Sequence, residues 1–239
     1  MSTANAASIS QTGAPVIQMQ QATLRLASRA GEVTILDKIT LDIARGETVA
    51  VLGPSGAGKT TAMMVMAGLE ALSTGKIMIN NTDLAGLNED QLARLRLDHI
   101  GIVFQAFRLI PSMTAVENVA VPLQLAYQEN AIQQATQALR QVGLGQRLDH
   151  LPDQLSGGEQ QRVAIARAIV MQPSILLADE PTGNLDQQTG TEIMSLIFNA
   201  ADSQQAALVL ITHDETLASR CSRIIRLADG QLVEDSGRS

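Results

Sequence analysis

One cysteine stands in 239 residues, tryptophan is missing, tyrosine occurs once and lysine three times. Each scarcity excludes something. Cys221 alone cannot close an internal disulfide, so the fold must hold by its core, and such usage fits a reducing compartment. A small apolar filler is the simplest role for it. With lysines only at 38, 59 and 76 and a net charge of −7, no basic face of the kind a nucleic-acid binder carries is evident. No uncharged apolar run approaches the ~18 residues of a membrane span. The first 24 residues carry no charge, yet they lack a basic start and a compact apolar stretch, so they do not read as a signal peptide. Met1–Gly13 reads as a flexible tail and 14–239 as one domain. Hydrophobic residues make up 45% and charged residues 17%, enough for a sizeable core.

Against these absences one string stands out. Gly53-Pro54-Ser55-Gly56-Ala57-Gly58-Lys59-Thr60 matches G-x-x-x-x-G-K-[ST] in full. The apolar run at 48–52 before it reads as a strand, and Thr61–Leu69 after it as a helix. That context is what a phosphate-binding loop needs. Glycines let the backbone wrap a phosphate with its N–H groups inward, and the helix N-terminus adds partial positive charge. Lys59 can bridge β- and γ-phosphates, and the Thr60 hydroxyl can ligate magnesium, with Thr61 completing the ATP contact.

Around this loop the chain falls into three regions. Val16–Leu26 and Val33–Ile43 alternate as strands, and Lys76–Ile79 reads as a third; together they predict an antiparallel sheet. From about 106 to about 157 the pattern is helical, with Thr114 and Glu117 spaced as a capping box. From 158 onward helix and strand alternate, which predicts a parallel sheet with helices on its faces.

Several strands end on polar residues. Ile175–Ala178 is apolar and runs into Asp179-Glu180. Asp179 can hold magnesium and Glu180 can polarise an attacking water, the two separate acidic jobs that the chemistry requires. Gln105 follows the run Ile100–Phe104, and His213 follows Ala207–Thr212. Both therefore stand at strand carboxyl ends, the edge where open α/β sheets bind ligands. Gln105 can reach magnesium or water through its amide oxygen, and His213 can bond the γ-phosphate. His99 and His150 have no such placement. A second string, Leu155-Ser156-Gly157-Gly158-Glu159-Gln160-Gln161-Arg162, pairs a Ser156/Glu159 capping box with two glycines that bare first-turn N–H groups to an anion.

Phosphate loop, Gln105, the 155–162 string, Asp179-Glu180 with Pro181-Thr182-Gly183-Asn184-Leu185-Asp186, and His213 stand in the order found in ATP-binding-cassette ATPases. The chain resembles that family over roughly residues 16 to 235. The resemblance implies a P-loop NTPase core of mainly parallel sheet, an N-terminal antiparallel β subdomain and an inserted α-helical subdomain. It also implies ATP and Mg²⁺ as ligands, with Thr60, Gln105 and Asp179 toward the metal. A head-to-tail dimer follows, in which Ser156, Gly157, Gly158 and Glu159 of one chain face the γ-phosphate held by Lys59 of the other, and Asp186 lies at the seam. Thr114-x-x-Glu117-Asn118-Val119-x-x-Pro122 and Gly183-Asn184-Leu185-Asp186 look like the LolD, MacB and FtsE group. The run Gly143–Pro152 is most similar to the YbbA type.

Such cassettes are ATPase subunits at the cytoplasmic face of the bacterial inner membrane. They pair with a permease bearing a large periplasmic domain, and in some cases with an additional periplasmic protein. Their turnover drives export, extraction of apolar molecules or periplasmic mechanotransmission. The alternatives are a cassette serving nucleic acid or the ribosome, a regulatory ATPase of the FtsE kind that transports nothing, or a non-catalytic scaffold. Long coiled-coil insertions, zinc motifs and basic segments, which the first would carry, are not evident. One departure from the family stands out: Val16–Asp37 contains no aromatic residue to stack on adenine. Leu26 or Arg25 is left to cover the base, and weak base discrimination is expected.

Overall fold

The computed structural model describes residues 15–28 and 31–237. The tail expected over Met1–Gly13 lies outside the described residues, as do Arg29 and Ala30 of the first turn. Strand β1 (Pro15–Ser28) pairs antiparallel with β2 (Gly31–Ala44). Buried Ile17 and Met19 in β1 alternate with the less buried Gln18 and Gln20, the period that a half-covered strand demands. Farther along the chain, β4 (Thr74–Ile79) joins the free edge of β1, and β5 (Thr82–Asp83) completes the order β2-β1-β4-β5. This is the antiparallel subdomain expected from the alternating runs.

The second sheet holds β3 (Thr48–Leu52), β6 (Ile100–Phe104), β7 (Ile175–Asp179), β8 (Ala207–Ile211), β9 (Arg223–Ala228) and β10 (Gln231–Asp235) in the order β10-β9-β3-β8-β7-β6. It is parallel from β9 to β6, and β10 returns antiparallel. The return is made at Asp229-Gly230, both at positive φ, as a tight hairpin requires. Every residue of β8 is buried, because the sheet is covered on both faces. Helix α1 (Lys59–Met66) lies between the two sheets and buries Ala62, Met63, Val65 and Met66. It starts at Lys59 and not at Thr61, since Gly58 at φ 93° serves as its N-cap. Helix α2 (Glu89–His99) opens on an Asn88/Gln91 capping box.

Helices α3 (Ala115–Leu125), α4 (Ala131–Gln141) and α5 (Gly157–Ile169) share their own core of Val119, Leu123, Leu139 and Val163. The Thr114/Glu117 box is reciprocal: Thr114 N donates to Glu117 Oε2 at 2.8 Å and Glu117 N to Thr114 Oγ1 at 3.3 Å. Ahead of α3 the chain is folded around fully buried Asn118. Its Oδ1 accepts from Ile110 N at 2.7 Å, and its Nδ2 donates to the carbonyls of Ile110, Met113 and Thr114. Helix α5 also packs on β6, so it belongs to both bodies. Helix α6 (Gln187–Gln204) packs on the second sheet with Ile193, Met194 and Ile197, and α7 (Glu215–Ala218) is a single turn before β9. Arg223 binds Asp235 through two bonds of 2.7 Å and reaches Glu47 at 3.0 Å, clasping the final strand to the β2–β3 turn.

Candidate active site

A cavity of about 690 Å³ opens at the carboxyl ends of β3, β6, β7 and β8. The phosphate loop forms one wall. Gly53 sits at φ 151°, where an added Cβ would come within 2.2 Å of the Leu227 carbonyl, so only glycine fits the start of the loop. Lys59 Nζ folds back to donate to the carbonyls of Gly53 (2.8 Å) and Pro54 (3.0 Å). Pro54, Ser55, Gly56, Gly58, Thr60 and Thr61 also face the cavity. Ala57 does not: its methyl is buried in the core, which leaves only its backbone toward a ligand.

The opposite wall is acidic. Thr60 Oγ1 donates to the Asp179 carboxylate at 3.1 and 3.3 Å. Burial pushes the Asp179 carboxyl above its usual range, and the Thr60 bond opposes that push. Glu180 adopts φ 44° as the strand breaks, with its N–H donating to the Ile211 carbonyl at 3.0 Å. This turn aims its carboxylate at His213 Nδ1, 2.8 and 3.0 Å away. The Glu180 hydrogen bond and charge hold the His213 imidazole above its ordinary pKa. Gln105 stands beside Gly183, where an added Cβ would meet the Gln105 amide nitrogen at 2.5 Å, and its backbone carbonyl accepts from Asn184 Nδ2 at 3.0 Å.

Among the described residues no three His, Cys, Asp or Glu side chains group as a metal site. The donors present are one hydroxyl, one carboxylate and a nearby amide. Such a sparse oxygen set fits Mg²⁺, which takes one or two protein ligands and completes its shell with phosphate and water.

The structure brings Gln105, Asp179, Glu180 and His213 to the phosphate loop. It does not bring the 156–159 string or Asp186 there. Ser156 caps α5: its Oγ accepts from Glu159 N at 3.3 Å, and Glu159 Oε2 accepts from Ser156 N at 2.9 Å. That backbone bond holds the Glu159 carboxyl below the usual range, and Arg147 adds a contact at 2.9 Å. Asp186 caps α6 by accepting from Thr189 N at 3.0 Å, and the Thr189 hydroxyl, together with that backbone bond, holds its carboxyl below the usual range. His150 lies against Arg147, 3.2 Å away. Burial pushes the Cys221 thiol up to about 11, as suits an inert filler.

Two wall residues are not legible in the sequence. Gly183 reads there only as part of a loop. Ile35 arrives through a β-bulge: Leu24 pairs with Leu36 and Arg25 with Thr34, which leaves Ile35 between them, turned to the cavity. Just beyond, Leu26 and Val33 face each other across the hairpin and stay 42% and 45% exposed. Arg25 instead pairs with Glu32 at 3.7 Å.

The model of the ABC transporter family matches residues 36–183. The ABC transporter ATP-binding protein YbbA of Escherichia coli (strain K12) is 48% identical over 207 residues, 86% of this chain and 91% of that protein. The lipoprotein-releasing system ATP-binding protein LolD of Francisella tularensis subsp. tularensis (strain FSC 198) is 44% identical over 204 residues, 84% of this chain and 88% of its own length. Among solved structures, the dimeric post-hydrolysis state of the ATP-binding cassette MJ0796, bound to ADP and Pi, superposes with a TM-score of 0.86 at 38% identity, covering 92% of this chain and 97% of that one. The chain belongs to the ABC transporter family. It has the P-loop cassette fold and is an ATPase of the YbbA and LolD kind.

Proposed function

We propose that the chain is the ATP-hydrolysing subunit of a bacterial inner-membrane complex, working as a head-to-tail homodimer. One observation carries the reading: Lys59, Thr60, Asp179, Glu180, Gln105 and His213 wall a single cavity. Loop amides and Lys59 grip the β- and γ-phosphates of ATP. Lys59 needs only to exchange the Gly53 and Pro54 carbonyls for phosphate oxygens. Thr60 and Asp179, with Gln105 beside them, hold Mg²⁺, which when bound neutralises the phosphate charge. Glu180 accepts a proton from the attacking water as its oxygen bonds the γ-phosphorus and the bond to the bridging oxygen breaks, releasing ADP and phosphate. His213, now on Glu180, turns to the γ-phosphate when ATP is present.

The second chain supplies Ser156, Gly157 and Gly158 to this phosphate, with Glu159 fixing their turn and Asp186 at the seam. Support comes from their position outside the cavity of their own chain, and from the MJ0796 cassette, which is dimeric in its ADP- and Pi-bound state. We infer attachment at the cytoplasmic face through a permease with a large periplasmic domain, as the likeness to the LolD relative suggests; no helix among the described residues is long and apolar enough to cross a membrane. The LolD relative is named for lipoprotein release, which favours extraction of an apolar cargo over passage through a channel.

Glu180→Gln is the test. Turnover should fall by about a hundredfold or more, on the order of a lost general base, while ATP still binds. Undiminished hydrolysis by this variant would remove Glu180 from the role.

A further inference from the structure

Helix α5 carries a polar residue that solvent never reaches. Gln161 is 0% exposed. Its Nε2 donates to the Pro181 carbonyl at 2.7 Å. Its Oε1 is the one buried side-chain oxygen or nitrogen among the described residues that has no hydrogen-bond partner. Flipping the amide would set oxygen against the Pro181 carbonyl, so its orientation is fixed by that single bond. An apolar side chain of equal length would fill the space without an orphaned acceptor. The native chain instead keeps a buried amide, and what that amide holds is the residue after Glu180.

The surroundings make this bond a junction. Gln161 is five residues past the Ser156 cap of α5. The first turn of α5 lies on the loop that follows Glu180 and on the start of α6: a Cβ on Gly157 would sit 3.5 Å from Leu185 of the loop, and one on Gly158 only 2.6 Å from Thr189 of α6. Arg162 pairs with Glu192 one step farther along. The loop itself is pinned at Glu180 N by the Ile211 carbonyl and at Asn184 by the Gln105 carbonyl. Between those pins, Gln161 supplies the side-chain tie from α5.

We propose that Gln161 is a positioning residue, joining the glycine turn a chain offers to its partner to the glutamate it uses on its own nucleotide. This rests on the roles given above to Glu180 and to Ser156–Gly158. Pressure on the α5 turn from the partner's ATP is relayed through the amide to Pro181, and so sets the angle at which Glu180 meets water. The consequence is that each half of the dimer fires only when its α5 is engaged.

The test is Gln161→Met in the full chain, alone and assembled with its membrane partner. The thioether matches the amide in length, removes the orphaned acceptor and cannot donate. The expected result is a kcat lowered by about tenfold, with KM for ATP within about twofold of native and the melting temperature shifted by no more than about 3 °C. Amide exchange over Thr182–Leu185 should quicken. A purely structural side chain would lose stability and turnover together; that parallel loss, or a native kcat, overturns the proposal. Should the methionine chain not fold, Gln161→Leu, which also lacks any donor at this buried position, is read by the same split. Glu180→Gln reports separately on the hydrolytic role: if that variant hydrolyses ATP normally the site reading fails, whatever the result at 161.

Discussion

Glu180 shows how much chemistry one backbone angle decides. At φ 44° it leaves the strand direction, and its carboxylate lies on His213 instead of following Asp179 toward Thr60. The pairing raises the imidazole's proton affinity. Because the folded value is raised, the stabilisation is fully present below the unfolded value of about 6.5 and fades as pH rises through the folded one. An NMR titration should therefore find the His213 ring still protonated somewhat above about pH 6.5, and Glu180→Gln should return its midpoint toward that value. A second prediction concerns the base. On the proposed function the base meets the exposed Leu26 and Val33 beside the cavity, an aliphatic ledge with no ring and no pair of fixed donors and acceptors to read adenine. GTP should displace labelled ATP at concentrations within about tenfold of ATP itself, a gap of ~1.4 kcal/mol; a preference of about a hundredfold for ATP would refute the ledge.

At the scale of elements, α3 depends on a residue that its hydrophobic pattern does not advertise. Asn118 satisfies one backbone N–H and three carbonyls of the 110–114 turn. Ile110 O and Thr114 O keep backbone partners, but Asn118→Leu would take the Asn118 partner from Ile110 N and Met113 O and should cost roughly 2–4 kcal/mol, since each half-buried group left without a partner costs about 1–3 kcal/mol. Urea unfolding followed by circular dichroism checks this. The example marks where sequence reading succeeds and stops. Thr114 and Glu117, Ser156 and Glu159, and the 53–60 loop are local: each motif satisfies its own backbone groups, so spacing alone reveals it. The Ile175–Ala178 and Ala207–Ile211 runs announce buried strands because nothing in them prefers water. Asn118 and Gln161 fall inside strings that the sequence marks, yet their buried bonds are not legible there, for the groups they hold lie in turns and loops that only the folded chain brings near. Ile35 is hidden for a related reason, as a bulge shifts register without changing composition. The family resemblance marks Asp186 as a seam residue, while its capping of α6 emerges only from the fold. We propose about 106–157 as the span of the helical subdomain, with α5 as the element it shares with the core.

The whole molecule is half of a working unit on the proposed function. Ser156 lies outside the cavity that Lys59 lines in the same chain, so on that reading ATP should drive two copies together. Sedimentation of the Glu180→Gln chain is expected to give a monomer with ADP and a dimer with ATP. A monomer under both conditions would separate the 155–162 string from nucleotide binding.

The order β9-β3-β8 has a consequence for how the molecule comes into being. The strand that leads into the phosphate loop lies early in the chain, yet both of its hydrogen-bonded neighbours lie in the last 33 residues, beginning at Ala207. During translation the loop therefore emerges long before its strand has anything to pair with, and such distant pairing is slow to form. Arg223 completes the enclosure by fastening Asp235. A ribosome stalled before this final stretch would hold a chain with its glycine loop and acid pair already made and no pocket in which to assemble them.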